Sequence, residues 1–151
     1  MTIFLSYKLA YDLYNELKNL ENSNIYKSIL ELFNSYDIIS IIENKFNLQF
    51  TFNTNNFIIS SPGSYISYHN YSNDRTIVRC ILYMNKNYFR DNGGELHLLS
   101  NKSMTVEKIF NPIFNRLIIL LIDKNSYYGV SINKKGYHGK SLEFDYIEKE
   151  I

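Results

Sequence analysis

Ile77-Val78-Arg79-Cys80-Ile81-Leu82-Tyr83-Met84-Asn85 is rich in β-branched and aromatic residues, and turn residues close it at Asp91-Asn92-Gly93-Gly94. That combination predicts a strand, a tight turn and a second strand over residues 94–99. Outward from this centre the pattern repeats. Further strands are expected over residues 57–60, 65–69, 106–110, 117–122, 128–132 and 141–147. Ser61-Pro62-Gly63, Asn73-Asp74, Asn111-Pro112 and Asp123-Lys124-Asn125 supply turn chemistry between them. Residues 117–122 are apolar at every position, as a strand covered on both faces requires. Many short strands at this spacing point to a sandwich or barrel.

Before residue 48 the period changes. Leu9, Leu13, Leu17 and Leu20, then Ile25, Ile29, Leu32 and Phe33, recur at helical spacing, with Glu21-Asn22-Ser23-Asn24 as a connector. A third short stretch, residues 38–42, leads to Phe46 and Leu48. Two or three helices over 1–48 and strands over 49–151 give an α+β reading, one domain spanning 1–151 with a helical layer on one sheet.

Composition bounds the function. With 45% hydrophobic and 21% charged residues the chain is an ordinary folded one. A net charge of +1, with Lys134-Lys135 the only basic doublet, offers no surface for nucleic acid. Cys80 is the single cysteine, so no internal disulfide forms, and a reducing compartment is expected: cytoplasm, with the nucleus equally compatible. No stretch is apolar enough to span a membrane, and Met1-Thr2-Ile3-Phe4-Leu5 lacks the build of a signal peptide. The glycosylation sequons at Asn70 and Asn101 carry little weight without one. The 14 Tyr and 10 Phe fit an AT-rich genome better than an aromatic binding platform.

Several short landmarks fall in a fixed order: Ser61-Pro62-Gly63-Ser64-Tyr65, His69, the run from Arg79 to Asn85, Gly93-Gly94-Glu95-Leu96, Ile109-Phe110-Asn111-Pro112, Asn115-Arg116-Leu117, Ser126-Tyr127-Tyr128-Gly129-Val130, and Lys140-Ser141-Leu142. Each is weak alone. Their collinear order from about Phe46 to Phe144 resembles the prolyl-hydroxylase branch of the Fe(II)/2-oxoglutarate oxygenases. The resemblance implies a double-stranded β-helix, a jelly-roll, cupin-like sandwich, behind the helical layer.

In that family two His and one Asp hold Fe(II) on three positions and leave three for 2-oxoglutarate and O₂. The resemblance puts the first ligand at His69, the carboxylate at Tyr71 and the second imidazole at Tyr128. Tyr83 matches the tyrosine that meets the co-substrate's far carboxylate, and the basic clamp falls on Gly139, with Lys140 beside it. Strand alternation sends Lys140 to the opposite face from Gly139 unless a bulge intervenes. Phenols, with an ordinary pKa of about 10, are poor ligands for ferrous iron. The expectation is therefore vestigial metal and co-substrate positions, no metal, no catalytic residue, and two tyrosine rings filling the vacated pocket. Asp74 reads as turn capping. His69 and His97 read as hydrogen-bonded structural histidines, and His138 lies near the co-substrate clamp.

Three functions follow from the resemblance. The first is a pseudo-oxygenase acting as a protein-binding module, with virus-encoded copies of such folds that bind a host hydroxylase as the precedent. The second is an atypical oxygenase that uses His69 with Tyr71, Tyr128 or an unexpected carboxylate to hydroxylate a protein or small molecule. The third is an inactive partner subunit of a competent homologue. They rank in that order, with a protein partner, no nucleic acid and no membrane; Fe(II) and 2-oxoglutarate would be the cofactors of an active member.

Overall fold

The computed structural model describes residues 2–4, 8, 24–70, 75–100, 103–134 and 136–149. In chain order its elements are β1 (Thr2–Phe4), α1 (Asn24–Phe33), α2 (Tyr36–Phe46), β2 (Phe50–Ser60), β3 (Ile66–Asn70), β4 (Thr76–Tyr83), β5 (Leu96–Leu99), β6 (Val106–Phe110), β7 (Arg116–Leu121), β8 (Tyr127–Val130) and β9 (Gly139–Glu148). The helical spacing at Leu9 to Leu20, and the positions Tyr71 and Asp74, lie outside the described residues.

Two antiparallel sheets face each other. One has the order β1-β7-β4-β9-β2, the other β3-β8-β5-β6. With two helices ahead of β2 to β9 and packed on the larger sheet, this is the α+β double-stranded β-helix that the sequence implied. The period changes where expected, close to residue 48.

The strands differ from expectation chiefly at β2, which begins at Phe50 rather than 57. Asn53, Asn55 and Asn56 are poor strand formers. They are held extended by pairing with β9 from Phe50↔Glu148 to Ser60↔Gly139, with an irregularity between Phe52 and Thr54. Long-range pairing overrides local preference there. The strand β1, also not expected, is the edge partner of β7.

Strand alternation sorts the large sheet into two faces. Val78, Cys80 and Leu82 of β4, Leu117 and Ile119 of β7, and Leu142, Phe144 and Tyr146 of β9 pack under the helices. Ile29 and Phe33 of α1 and Ile42 of α2 complete that core, at the i, i+4 spacing seen in the sequence. The helix α2 is capped at both ends. Ser35 Oγ accepts from the Ile38 amide, and Asn47 takes the left-handed conformation at φ 54°. Asp37 in its first turn and Lys45 in its last complement the helix dipole.

The opposite face looks into the sandwich. Ile81 and Tyr83 of β4 and Ile118 and Leu120 of β7 meet Leu96 of β5 and Tyr128 of β8. Glycine landmarks set how closely loops approach this interior. Gly93 and Gly94 have φ of 76° and 78°, and a Cβ on Gly93 would collide with the Ile132 carbonyl. Asn85, buried, donates to the Pro112 carbonyl at 2.7 Å and accepts from the Lys140 amide at 2.6 Å, tying the end of β4 to the entry of β9.

Candidate functional site

Between the sheets lies a cavity of about 390 Å³. Its floor is the inward row of β9, Gly139, Ser141 and Glu143, with Arg79, Ile81 and Tyr83 of β4 beside it. Tyr128 and Val130 of β8 and Leu96 of β5 form the facing wall. The sequence implies that the rings of Tyr71 and Tyr128 fill this space, and of the two only Tyr128 is among the described residues. Tyr128 is buried, but its ring packs sideways against His69, 4.7 Å between centroids, and leaves the cavity open.

Arg79 dominates the polar end. Its Nε and one terminal nitrogen each donate to a carboxylate oxygen of Asp145 at 2.6 Å, a side-on bidentate pair. Its other terminal nitrogen, Nη1, donates to the Tyr128 hydroxyl at 3.4 Å. The same nitrogen stands 3.7 Å from Glu143, beyond hydrogen-bond reach. Arg79↔Asp145 and Ile81↔Glu143 are neighbours on β4 and β9, so alternation presents all three charged groups to the interior. Burial pushes the Glu143 carboxyl above the ordinary carboxylate range. Arg79 pulls it back and Asp145 pushes it further, and the net direction is up.

A raised carboxyl means that the folded chain holds this proton more tightly than the unfolded chain. The resulting loss of stability is absent below the unfolded carboxylate pKa of about 4.3 and complete above the folded one. Glu143→Gln is therefore expected to gain in melting temperature relative to the parent as pH rises from about 4 to about 8. A constant difference across that range, read by thermal melts, would contradict the burial of this charge.

The vestigial positions fall as follows. His69 and Tyr128 are cross-strand partners. The His69 Nδ1 hydrogen-bonds to the Ser67 carbonyl oxygen at 2.7 Å. Tyr83 is buried at the cavity wall. Its hydroxyl is held well above the ordinary tyrosine range by burial, with Glu143 adding. Gly139 is buried on the inward row, where a side chain would run into Ser60 Oγ. Lys140 borders the cavity, yet alternation groups it with Leu142 and Phe144 on the helix side. His97 pairs with the Tyr68 hydroxyl at 2.9 Å, and His138 is exposed. Buried among apolar neighbours, the Cys80 thiol is pushed up to about 12 by burial and by Asp145, which leaves it unreactive.

Of the three ligand positions two are described, and one imidazole with one phenol is a poor donor set for ferrous iron. Among the described residues no group of three His, Cys, Asp or Glu is placed to hold a metal ion. The hydroxyl at the second-imidazole position is engaged by a guanidinium, a fixed cation that repels an incoming metal ion. Nor do the described positions fit the 2-oxoglutarate dianion. The clamp position carries no side chain, and Arg79 is committed to Asp145. Sequence reasoning treated Arg79, Glu143 and Asp145 as strand residues. The signal was present: one arginine inside an apolar strand, and acids alternating with apolar residues along Ser141-Leu142-Glu143-Phe144-Asp145-Tyr146.

No protein-family model and no curated protein matches the sequence. Solved structures match it across nearly its whole length. A prolyl-4-hydroxylase from Pseudomonas putida superposes with a TM-score of 0.80 at 17% identity, covering 99% of this chain and 88% of that one. A Trichoplax adhaerens prolyl hydroxylase, solved in complex with a peptide fragment of the hypoxia inducible factor oxygen degradation domain, gives 0.72 at 17% identity, over 98% and 83%. The viral collagen prolyl hydroxylase of Paramecium bursaria Chlorella virus-1, in its 2-oxoglutarate complex, gives 0.64 at 15% identity, over 99% and 96%. At these identities the likeness establishes the fold of the 2-oxoglutarate oxygenases and leaves the chemistry to the residues.

Proposed function

We propose that this protein is a pseudo-oxygenase: a prolyl-hydroxylase-like scaffold without iron chemistry, working as a protein-binding module. The observation that carries the reading is the Arg79 guanidinium, paired with Asp145 and touching the hydroxyl at the second ligand position. An internal ion pair occupies the polar end of the cavity, and a single imidazole, His69, is a poor anchor for Fe(II) in competition with water.

Binding is supported by the cavity mouth. Ile59, Tyr65 and Ile66 line it and are 57%, 67% and 42% exposed. Ile132, 55% exposed, lies on the segment that hydrogen-bonds to the Ser61-Pro62-Gly63-Ser64 turn, through the Asn133 amide to the Ser64 carbonyl. Apolar side chains ringing a concave site mark surfaces that other molecules cover. The Trichoplax enzyme forms a complex with a peptide. A peptide at the equivalent mouth here would be held without being oxidised.

Two measurements test this. Purified protein with Fe(II), ascorbate, O₂ and 2-oxoglutarate is expected to form no succinate beyond the uncoupled background, with or without proline peptides. On a protein array, the parent chain is expected to retain a partner that the Tyr65→Asp, Ile132→Asp variant loses. Succinate formation that disappears in His69→Ala, or partners retained equally by both forms, would sink the proposal.

A further inference from the structure

The cavity has a charge and an unmet hydrogen bond that together describe its ligand. Its polar end is lined by the Glu143 carboxylate and the Arg79 guanidinium, and Asp145, outside the lining, pairs with that guanidinium. Asp145 takes both short contacts of Arg79, while Glu143 is left at 3.7 Å. Arg79 and Asp145 balance one another, which leaves the Glu143 carboxylate facing a space walled by Ile58, Ile81, Leu96 and Val130, with Lys140 bordering it at the Gly139 end. A half-buried carboxylate at that distance from the guanidinium has room to accept hydrogen bonds from a ligand on the cavity side.

The second observation stands at the other end. Tyr137 lines the same cavity, is 8% exposed, and its hydroxyl has no hydrogen-bond partner among the described residues. Buried phenols normally find one. Its neighbour across the wall is Gly94, whose added Cβ would stand 3.5 Å from the Tyr137 ring. From Gly139 to Glu143, the inward row of β9 runs on the order of 13 Å. The exposed lining residues, Ile59, Tyr65 and Ile66, place the opening at the Gly139 end, because Ile59 pairs with Lys140. A ligand entering there passes an apolar stretch before it meets Glu143.

We propose that this cavity takes an organic cation, an ammonium or guanidinium on an apolar stem, with Glu143 as its counter-ion and the Tyr137 hydroxyl bonding a polar group nearer the mouth. The inference rests on the pseudo-oxygenase reading, since a 2-oxoglutarate dianion and a cation cannot share the space. The rings of Tyr83, Tyr128 and Tyr137 add faces on which a cation is favoured. Two sources present the same chemistry: a free amine, or the lysine side chain of a bound protein.

Calorimetric titration of the full chain with n-butylammonium, N-acetyl-lysine methylamide and 2-oxoglutarate, the last with and without Mn(II), separates the cases. Saturable 1:1 binding of one or both amines is expected, weakened roughly tenfold or more in Glu143→Gln, as loss of a charge-assisted hydrogen bond implies. Tyr137→Phe is expected to weaken the lysine derivative more than butylammonium. Tighter binding of the lysine derivative assigns the site to a partner's lysine, and tighter binding of butylammonium to a free amine. No binding of either amine, or binding that Glu143→Gln leaves unchanged, overturns the inference while the pseudo-oxygenase reading stands. Binding of 2-oxoglutarate with Mn(II) at 1:1, lost in His69→Ala, overturns both.

Discussion

Asp145→Ala is expected to cost roughly 3–5 kcal/mol, because it strands a buried guanidinium without its carboxylate. The two 2.6 Å contacts are the only short charge-assisted bonds that Arg79 makes to an acid among the described residues. Glu143, at 3.7 Å and on the neighbouring inward position of β9, cannot replace them without moving the strand. For a domain of this size the loss lowers the melting temperature by on the order of 10 °C. Replacing both partners, as Arg79→Met with Asp145→Leu, removes the stranded charge along with the pair. The double variant is expected to recover most of the loss, since no guanidinium is left stranded. Thermal melts of the two variants decide the matter. A double variant no better than Asp145→Ala would mean that the pair is not the closed electrostatic unit described above.

Phe144→Ala is expected to cost a similar amount, about 3–5 kcal/mol, by a different route. Phe144 is fully buried on the helix-facing side of β9 and stacks on Phe33 of α1, 4.0 Å between centroids and 1° between planes. Tyr146 donates to the Phe33 carbonyl at 2.7 Å and fixes the same end of the helix to β9. Truncation removes the ring and leaves a void that the helix cannot close without breaking that bond. Urea unfolding is expected to show a lower midpoint with an unchanged slope. A loss below about 1 kcal/mol would contradict the tight seating of the helical layer on this face.

Most of the fold was legible because its signals are local. The apolar run over 117–122 and the glycine pair at 93–94 each have one natural structural meaning, and the structure places both as those meanings require. The beginning of β2 was not legible, since Asn53 to Asn56 become strand only through β9, about ninety residues later in sequence. The site divides in the same way. The order of the landmarks singles out His69, Tyr83, Tyr128 and Gly139; the structure pairs His69 with Tyr128 across two strands and places Tyr83, Tyr128 and Gly139 on the cavity lining. The open cavity was missed because ring size alone does not say which way Tyr128 turns. The Arg79–Asp145 pair spans 66 positions, so only the oddity of each charged residue in its own apolar strand pointed to it.

Anaerobic dialysis of the purified chain against Fe(II) and 2-oxoglutarate, followed by metal analysis, reaches the central claim most directly. With a guanidinium already touching the second ligand position, the protein is expected to retain no iron above the level of the dialysis buffer. One equivalent of retained iron, lost on His69→Ala, would show that the ion pair yields to a metal centre, and would contradict the proposed function.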